Sequence, residues 1–307
     1  MKKVVPIALI LLAAILVTIA TGIGPGPALA DSDLYIIEAE EAAKLLGGEN
    51  VVLVDMQEAE NYALGHIEGS VNIVRNDVVV NTPYPTMIAP AKQIAEVLGS
   101  AGIDNDTLVI IYDDSGNINA ARLWWTMLVY GHQNVKVVSG GFSALQKAGL
   151  ALSNDAPAVQ AKTYEPGEAD ESLIATLDEV VAQVDNPQPG VILLETRAYD
   201  EYSTGTIPGA VLVNYEENNF SDGTFRPVQH ILIHYKEKGI TADNEIIVFC
   251  AVSVRGAQTF LALYNAGYRN LKLYDGAWAE YSAIHAPEGG ETGSPQPEED
   301  EPAAPGG

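Results

Sequence analysis

The stretch IIVFCAVSVRGAQTFLALYN, residues 246–265, decides the fold class. Its apolar, β-branched start, Ile246–Phe249, is typical of a strand buried on both faces of a parallel sheet. Helical spacing follows over Ala257–Asn265, and Gly267 suits the end of that helix. Another apolar run, Leu271–Tyr274, predicts the next strand. This alternation predicts an α/β fold in which a parallel sheet is flanked by helices on both faces.

The same pattern occurs earlier in the chain. Leu108–Tyr112 and Val135–Val138 predict strands, and Ala120–Tyr130 predicts the helix between them. The two halves also share residues at a nearly constant offset, which indicates a duplicated domain and not a solenoid. At an offset of 140, the matches are Leu53 with Leu193, Tyr62 with Tyr202, Gly65 with Gly205, Ile67 with Ile207, Gly69 with Gly209 and Val71 with Val211; at 136, they are Asn134 with Asn270, Gly140 with Gly276 and Phe142 with Trp278.

Composition divides the chain into five segments. A low-complexity stretch separates the two repeats, and the Pro-, Gly- and Glu-rich end of the chain has too few apolar residues to fold. The predicted segments are 1–30, a signal peptide or membrane anchor; 34–152, the first domain; 153–170, a linker; 171–286, the second domain; and 287–307, a disordered acidic tail.

The first thirty residues are typical of an export segment. Lys2 and Lys3 precede an apolar run from Val4 to about Ile23, and Ala28-Leu29-Ala30 offers a cleavage site. The run is also nearly long enough to span a bilayer, so residues 4–23 could associate with a membrane. In both cases we expect an extracytoplasmic protein that is secreted, periplasmic or anchored on the outer face.

Charge and cysteine content exclude several functions. The net charge of −25 over 307 residues disfavours binding to nucleic acid, which needs clustered Lys and Arg. A small anionic substrate would need a local positive site. The single cysteine, Cys250, excludes an intramolecular disulfide, a CxxC redox pair and a Cys-based zinc site.

Cys250 is the candidate nucleophile. It lies between the predicted strand and helix, where backbone N–H groups and the positive helix end favour a thiolate. Arg255 begins the helix and adds a charge that could hold an anion. The alternative is a buried core cysteine, but this setting favours the nucleophile. The predicted binding residues for substrate or persulfide are Ala251, Val252, Ser253, Val254 and Arg255.

The sequence from about Leu34 to Ile284 resembles a tandem-domain rhodanese, a family of thiosulfate and 3-mercaptopyruvate sulfurtransferases. No single motif is highly specific for this family, but the order and spacing of the motifs together are. The second half carries Gly190–Tyr202, Gly205–Ala210, Asp222–Arg226, the Cys-x4-Arg loop and Tyr274–Trp278; the first carries Leu53–Asp55, Gly65–Ser70 and Ser139–Phe142.

The resemblance implies a double displacement with no cofactor. Thiolate Cys250 would attack the outer sulfur of thiosulfate, and a thiol or cyanide acceptor would then take the sulfur. In the first half Asp113 stands at about the place of Cys250, which implies a non-catalytic domain. The alternatives are a persulfide-binding or scaffold module without turnover at the cell envelope and, more weakly, a phosphatase or arsenate-ester hydrolase. Related phosphatases have one more loop residue, so the shorter loop favours sulfur.

Two arginines outside the loop are possible cleft residues, Arg197 and Arg226. Arg197 stands in Glu195-Thr196-Arg197, where the family usually has Asp-x-Arg, and an ion pair within its own domain is the favoured role. The five histidines form no metal-ligand spacing, so we expect no metal. The apolar loop Ala251–Val254 leaves the sulfur donor open.

Overall fold

The computed structural model describes residues 34–285 and contains two repeats of one α/β architecture. Within this range no helix is both long and apolar enough to cross a membrane. The predictions for residues 1–30 and 287–307 lie outside the described residues.

The first repeat is built on a five-stranded sheet in the order β1-β8-β7-β2-β4, with every neighbouring pair parallel. Its elements in chain order are β1 (Ile36–Ile37), α1 (Ala39–Leu45), β2 (Val51–Asp55), α2 (Ala59–Leu64), β3 (His66–Ile67), β4 (Val71–Asn72), β5 (Val79–Val80), β6 (Met87–Ile88), α3 (Ala91–Ser100), β7 (Leu108–Tyr112), α4 (Ile118–Val129), β8 (Val135–Val138), α5 (Gly141–Lys147) and β9 (Leu152–Ser153).

The second repeat has a sheet of the same topology, β10-β14-β13-β11-β12, again with parallel neighbours. Its elements are β10 (Ile174–Ala175), α6 (Leu177–Asp185), β11 (Val191–Glu195), α7 (Tyr199–Thr204), β12 (Val211–Leu212), α8 (Val228–Glu237), β13 (Glu245–Phe249), α9 (Val254–Asn265), β14 (Leu271–Tyr274) and α10 (Ala277–His285). The predicted duplicated α/β fold is therefore confirmed.

The start of α9 differs from the sequence prediction. The helix begins at Val254, three residues before the predicted start at Ala257. Ser253 adopts a left-handed conformation with φ of 66°, which turns the chain from strand to helix at once. In the first repeat Asn117 makes the same turn with φ of 69° before α4. The candidate binding residue Val254 therefore lies in the helix and not in the loop, and Arg255 lies in the first turn of the helix, as expected.

The two repeats share a hydrophobic core. Helix α4 of the first repeat packs on α9 of the second, and nearly every residue of the two helices is buried. At the contact the ring of Trp124 lies 6.2 Å from that of Phe260 and 5.7 Å from that of Tyr264. The repeats therefore form one packed body around the strand ends that carry the candidate site.

The predicted linker runs along the first repeat as an extended segment. Residues 154–170 contain no helix or strand. The Lys162 N–H donates to the Gly99 carbonyl and the Gly167 N–H to the Tyr130 carbonyl, both at 2.9 Å. Tyr164 is buried beside them. The linker is thus tied to the domain that it leaves.

Candidate active site

Cys250 follows the last residue of β13, the middle strand of the second sheet. The residue is 1% exposed. Its carbonyl accepts a hydrogen bond from the Trp278 N–H at 3.0 Å, and the Ala251 carbonyl accepts one from the Ala279 N–H at 3.1 Å. Helix α10 therefore fixes the backbone on which the sulfur is mounted.

Ser253 fixes the other end of the loop. Its hydroxyl lies 2.5 Å from the Tyr274 carbonyl and 3.0 Å from that of Asp275, beyond the end of the neighbouring strand. The side chain is fully buried. These bonds hold Ser253 in its left-handed conformation and place the first turn of α9 directly after the cysteine. N–H groups in that turn lack carbonyl partners within the helix and attract an anion.

The first repeat shows what such a loop holds when a carboxylate replaces the thiol. Asp113 follows β7 as Cys250 follows β13, and it is 1% exposed. Its carboxylate accepts N–H groups from Ser115 at 3.0 Å, Asn117 at 2.8 Å and Ala120 at 2.9 Å. Burial raises the pKa of Asp113 to about 6, although these three bonds lower it. The repeated loop is therefore an anion cradle.

Arg255, predicted to hold an anion, is engaged by a carboxylate. Its guanidinium donates twice to Glu201, at 2.7 and 2.9 Å, and lies 6.0 Å from the Tyr215 ring. Burial alone would raise the pKa of Glu201, but Arg255 holds the pKa of that carboxyl below its usual range. Sequence reasoning missed Glu201, because no local pattern links residues 54 positions apart.

Arg197 forms the ion pair within its own domain that its sequence context favours. It donates to Glu195 at 2.9 and 2.8 Å and to the Gly205 carbonyl at 2.7 Å. It also lies 5.0 Å from the Trp278 ring. The structure thus holds Arg197 against residues of its own repeat, among them Trp278, whose N–H bonds to the Cys250 carbonyl.

Arg226 lines a different cavity, which has a volume of about 310 Å³. Its Nε donates to the Glu217 carbonyl at 3.0 Å, and its guanidinium lies 4.9 Å from the Phe220 ring. His230 and His234 of α8 line the same cavity. His234 lies 3.1 Å from Glu217, and residues 34–285 contain no group of three or more ligands arranged for a metal.

An arm of the first repeat, residues 79–88, reaches the cysteine loop of the second. The Thr86 hydroxyl donates to the Val252 carbonyl, and the Ile88 N–H donates to the Asp275 carboxylate at 2.7 Å. Fully buried Arg122 of α4 contacts the same Asp275 at 2.7 Å and donates to the Thr86 carbonyl at 2.8 Å. The first repeat therefore completes the surroundings of Cys250.

The second repeat covers the Asp113 loop in the same way, through a second arm, residues 219–226. The Asn117 side chain donates to the Gly223 carbonyl at 3.0 Å, and Asn219 donates to the Gly116 carbonyl at 3.2 Å. The Phe225 N–H donates to the Ser139 hydroxyl at 3.0 Å. Each repeat thus places an arm over the loop of the other.

Sequence comparison finds relatives over most of the chain. A family model described as the rhodanese-like domain matches residues 38–148 and 176–284. The "Putative thiosulfate sulfurtransferase" of Mycolicibacterium smegmatis is 30% identical over 275 residues, which cover 83% of this chain and 97% of that protein. The "Sulfur carrier protein TtuD" of Thermus thermophilus is 29% identical, with 73% of this chain and 84% of that protein covered.

Solved structures share the architecture. SseA from Escherichia coli, described as a 3-mercaptopyruvate sulfotransferase, matches with a TM-score of 0.71 and 24% identity over 80% of this chain and 99% of its own. EanB matches with a TM-score of 0.71 and 21% identity over 81% of this chain and 67% of its own. At these identities the likeness concerns the fold, and it agrees with the two-repeat α/β architecture predicted from the sequence.

Proposed function

The chain belongs to the rhodanese-like domain family, with two copies of the domain, and we propose that it is a sulfurtransferase. In this proposal it moves sulfane sulfur from thiosulfate or a similar donor to a thiophilic acceptor through a persulfide on Cys250. The observation that carries the proposal is the anion cradle: the first repeat holds the Asp113 carboxylate by three N–H groups. Cys250 stands at the corresponding place before α9.

The chemistry follows from a thiolate in such a cradle. The Cys250 thiolate attacks the outer sulfur of thiosulfate, a new S–S bond forms, and the old S–S bond breaks with its electron pair leaving on sulfite. The enzyme persulfide keeps one negative charge. Cyanide or a thiolate then attacks the outer sulfur and regenerates the Cys250 thiolate. Charge and sulfur balance in both steps, so no oxidant, reductant or cofactor is needed.

The cradle serves the reaction by stabilising both anions, the thiolate and the persulfide. A thiolate at a helix N-terminus has a depressed pKa and is nucleophilic without a separate base. Backbone donors aimed at a fixed point also need no reorganisation during transfer. The loop is short, with two residues between Cys250 and the left-handed Ser253, and we expect it to accommodate one more atom beside the sulfur.

Access to the sulfur requires motion. Because Cys250 is 1% exposed, the donor can reach it only when the residues above it move apart. The arm residue Thr86 bonds to the loop and belongs to the other repeat, so it is the natural part to move. We therefore expect sulfur transfer to be gated by the arm of the first repeat.

The proposal is tested by thiocyanate formation from thiosulfate and cyanide with the purified protein and with Cys250→Ala. We expect turnover in the first and none in the second. Intact mass should show a gain of about 32 Da with thiosulfate alone, and its loss after cyanide is added. Since the chain has one cysteine, the adduct has one assignment. Equal turnover in Cys250→Ala contradicts the proposal, and a stable adduct without turnover supports the scaffold alternative.

We also propose that the protein works outside the cytoplasm. The support is the export pattern of residues 1–30, with Lys2 and Lys3 before the apolar run. Cell fractionation is expected to recover the protein outside the cytoplasm, and the mass of the native protein distinguishes cleavage after Ala30 from retention of a membrane anchor. Recovery of the uncleaved protein in the cytoplasm contradicts this proposal.

A further inference from the structure

The charges around the cysteine loop are matched in pairs. Three arginines lie on elements around this loop. One belongs to α9, one to the segment after β11, and one to α4 of the first repeat. Each of them contacts a carboxylate within 3 Å, so the net positive charge offered to an incoming anion is small. The pairs are Arg255 with Glu201, Arg197 with Glu195, and Arg122 with Asp275.

The first pair is the one that a donor can reach. The side chains of Arg255 and Glu201 are 12% and 32% exposed, whereas those of the other two pairs are at most 5% exposed. Glu201 is held in place from both sides, because its carboxylate also accepts the Ala198 N–H at 3.1 Å at the start of α7. The guanidinium that could bind an anion is therefore covered by a fixed carboxylate.

The surface near this pair combines apolar groups with an excess of negative charge. Ala251 and Val252 are half-buried residues of the loop. A cavity of about 320 Å³ is lined by Trp278 and by one arginine against two carboxylates, and the Trp278 N–H bonds to the Cys250 carbonyl. The other lining residues are Arg197, Asp200, Glu201, Thr204 and Gly205. An aromatic ring and aliphatic groups favour binding of an apolar substituent, which is stabilised when it is removed from water. They provide neither charge nor hydrogen bonds to a doubly charged inorganic ion.

We propose that Glu201 determines donor choice, and that the site prefers a sulfane-sulfur donor with one negative charge and an apolar substituent over the thiosulfate dianion. This inference rests on the proposed function and names its substrate class. Glu201 acts by neutralising Arg255: a second negative charge on the donor meets no unmatched positive charge there and is repelled by the carboxylate.

The transfer balances with such a donor. With benzenethiosulfonate, the Cys250 thiolate attacks the terminal sulfur, the S–S bond breaks, and the electron pair leaves on benzenesulfinate. The enzyme persulfide that forms is the same as with thiosulfate. The two donors therefore differ in the charge and the substituent of the leaving group, and the acceptor step is common to both.

The test is the ratio of kcat/KM for benzenethiosulfonate to that for thiosulfate, with cyanide as acceptor. We expect the unchanged protein to favour benzenethiosulfonate by about tenfold or more. Glu201→Gln should lower this ratio about tenfold, because the positive charge of Arg255 is then unmatched and attracts the thiosulfate dianion. A ratio within one protein is independent of the fraction that folds. Glu201→Asp, which keeps the charge, should stay near the original ratio.

Glu60→Gln is the matched control, because it removes one charge from an exposed position in α2 of the first repeat. Its donor ratio should equal that of the unchanged protein. An unchanged ratio in Glu201→Gln, or a preference for thiosulfate in the unchanged protein, overturns the inference while leaving sulfur transfer through Cys250 intact. If neither donor forms a persulfide, the proposed function itself fails and the inference fails with it.

Discussion

Asp113 and Cys250 stand at corresponding points of the two repeats. One side chain is a carboxylic acid and the other is a thiol, so their ordinary pKa values differ. A carboxylate is ionised at neutral pH in water, whereas a thiol with an ordinary pKa of about 8.5 is not. In the proposed function, a cradle of this kind therefore stabilises a charge that Asp113 already carries at neutral pH, whereas it would convert the Cys250 thiol into a nucleophilic thiolate. A carboxylate cannot carry sulfane sulfur, so the proposed sulfur transfer would be confined to the second repeat.

Asp113 should make stability fall with rising pH. Because burial raises its pKa to about 6 from 3.8, its contribution to folding is fully present below 3.8 and is lost as the pH passes about 6. The rise of this pKa from 3.8 to about 6 corresponds to about 3 kcal/mol of unfolding free energy. Relative to Asp113→Asn, which cannot ionise, the unchanged protein should lose about this much unfolding free energy between about pH 4 and about pH 7.

Urea unfolding of both proteins at the two pH values measures this effect. Asp106→Asn is the control, because Asp106 is an exposed acid of the same repeat and is not among the groups that shift the pKa of Asp113. Parallel pH profiles for the unchanged protein and Asp113→Asn would show that Asp113 does not titrate in this range.

The junction between β13 and α9 is the element on which the site depends. A strand ends, one residue takes a left-handed conformation, and the helix starts, so that Cys250 meets the first turn of α9. For a residue with a side chain, this conformation costs about 1–2 kcal/mol. At Ser253 the two carbonyl contacts of the hydroxyl offset that cost.

Two substitutions at Ser253 separate strain from hydrogen bonding. Ser253→Ala keeps the strain and leaves buried carbonyls without their donor, so it should lower the unfolding free energy by about 2 kcal/mol. Ser253→Gly loses the same bonds but relieves the strain, and should be about 1 kcal/mol more stable than Ser253→Ala. Chemical denaturation of the unchanged protein, Ser253→Ala and Ser253→Gly measures these differences in unfolding free energy. A glycine variant no more stable than the alanine variant would mean that the left-handed turn stores no strain.

At the scale of the whole molecule, a buried ion pair joins the repeats. Arg122 of α4 and Asp275 after β14 are 0% and 4% exposed in their side chains. Arg122→Met leaves the Asp275 carboxylate buried without a counter-charge and should cost about 3–5 kcal/mol of unfolding free energy. The control is Lys92→Met, which removes an exposed contact with Glu96 and should cost less than about 1 kcal/mol. Equal effects of the two substitutions would contradict a structural role for the buried pair.

The arm of the first repeat should also control access to the sulfur. Thr86→Val keeps the shape of the side chain but removes the hydrogen bond to the Val252 carbonyl, worth about 1 kcal/mol. Alkylation of Cys250 by iodoacetamide should accelerate about fivefold, because the free energy needed to move the arm off the loop falls by about 1 kcal/mol. Thr163→Val, an exposed position in the linker, should leave the rate unchanged. A slower or equal rate in Thr86→Val would exclude the arm as the gate.

The sequence by itself determined the α/β fold, the duplication and the position of the candidate nucleophile. Strands such as Leu108–Tyr112 and Leu271–Tyr274 were predicted to the residue, because buried parallel strands are short apolar runs with local signals. The helical spacing from Ala257 missed the first turn of α9, since the left-handed turn at Ser253 depends on carbonyls at the end of the neighbouring strand.

Only the tertiary structure decided what surrounds the sulfur. Glu201 meets Arg255 across 54 positions, and Thr86 meets Val252 across 166. Periodicity reports on neighbours along the chain, whereas these contacts arise when two sheets and their arms are packed together. For that reason the sequence identified Cys250 and its loop, but the pairing of Arg255 and the part that the first repeat plays in covering the cysteine loop came from packing alone.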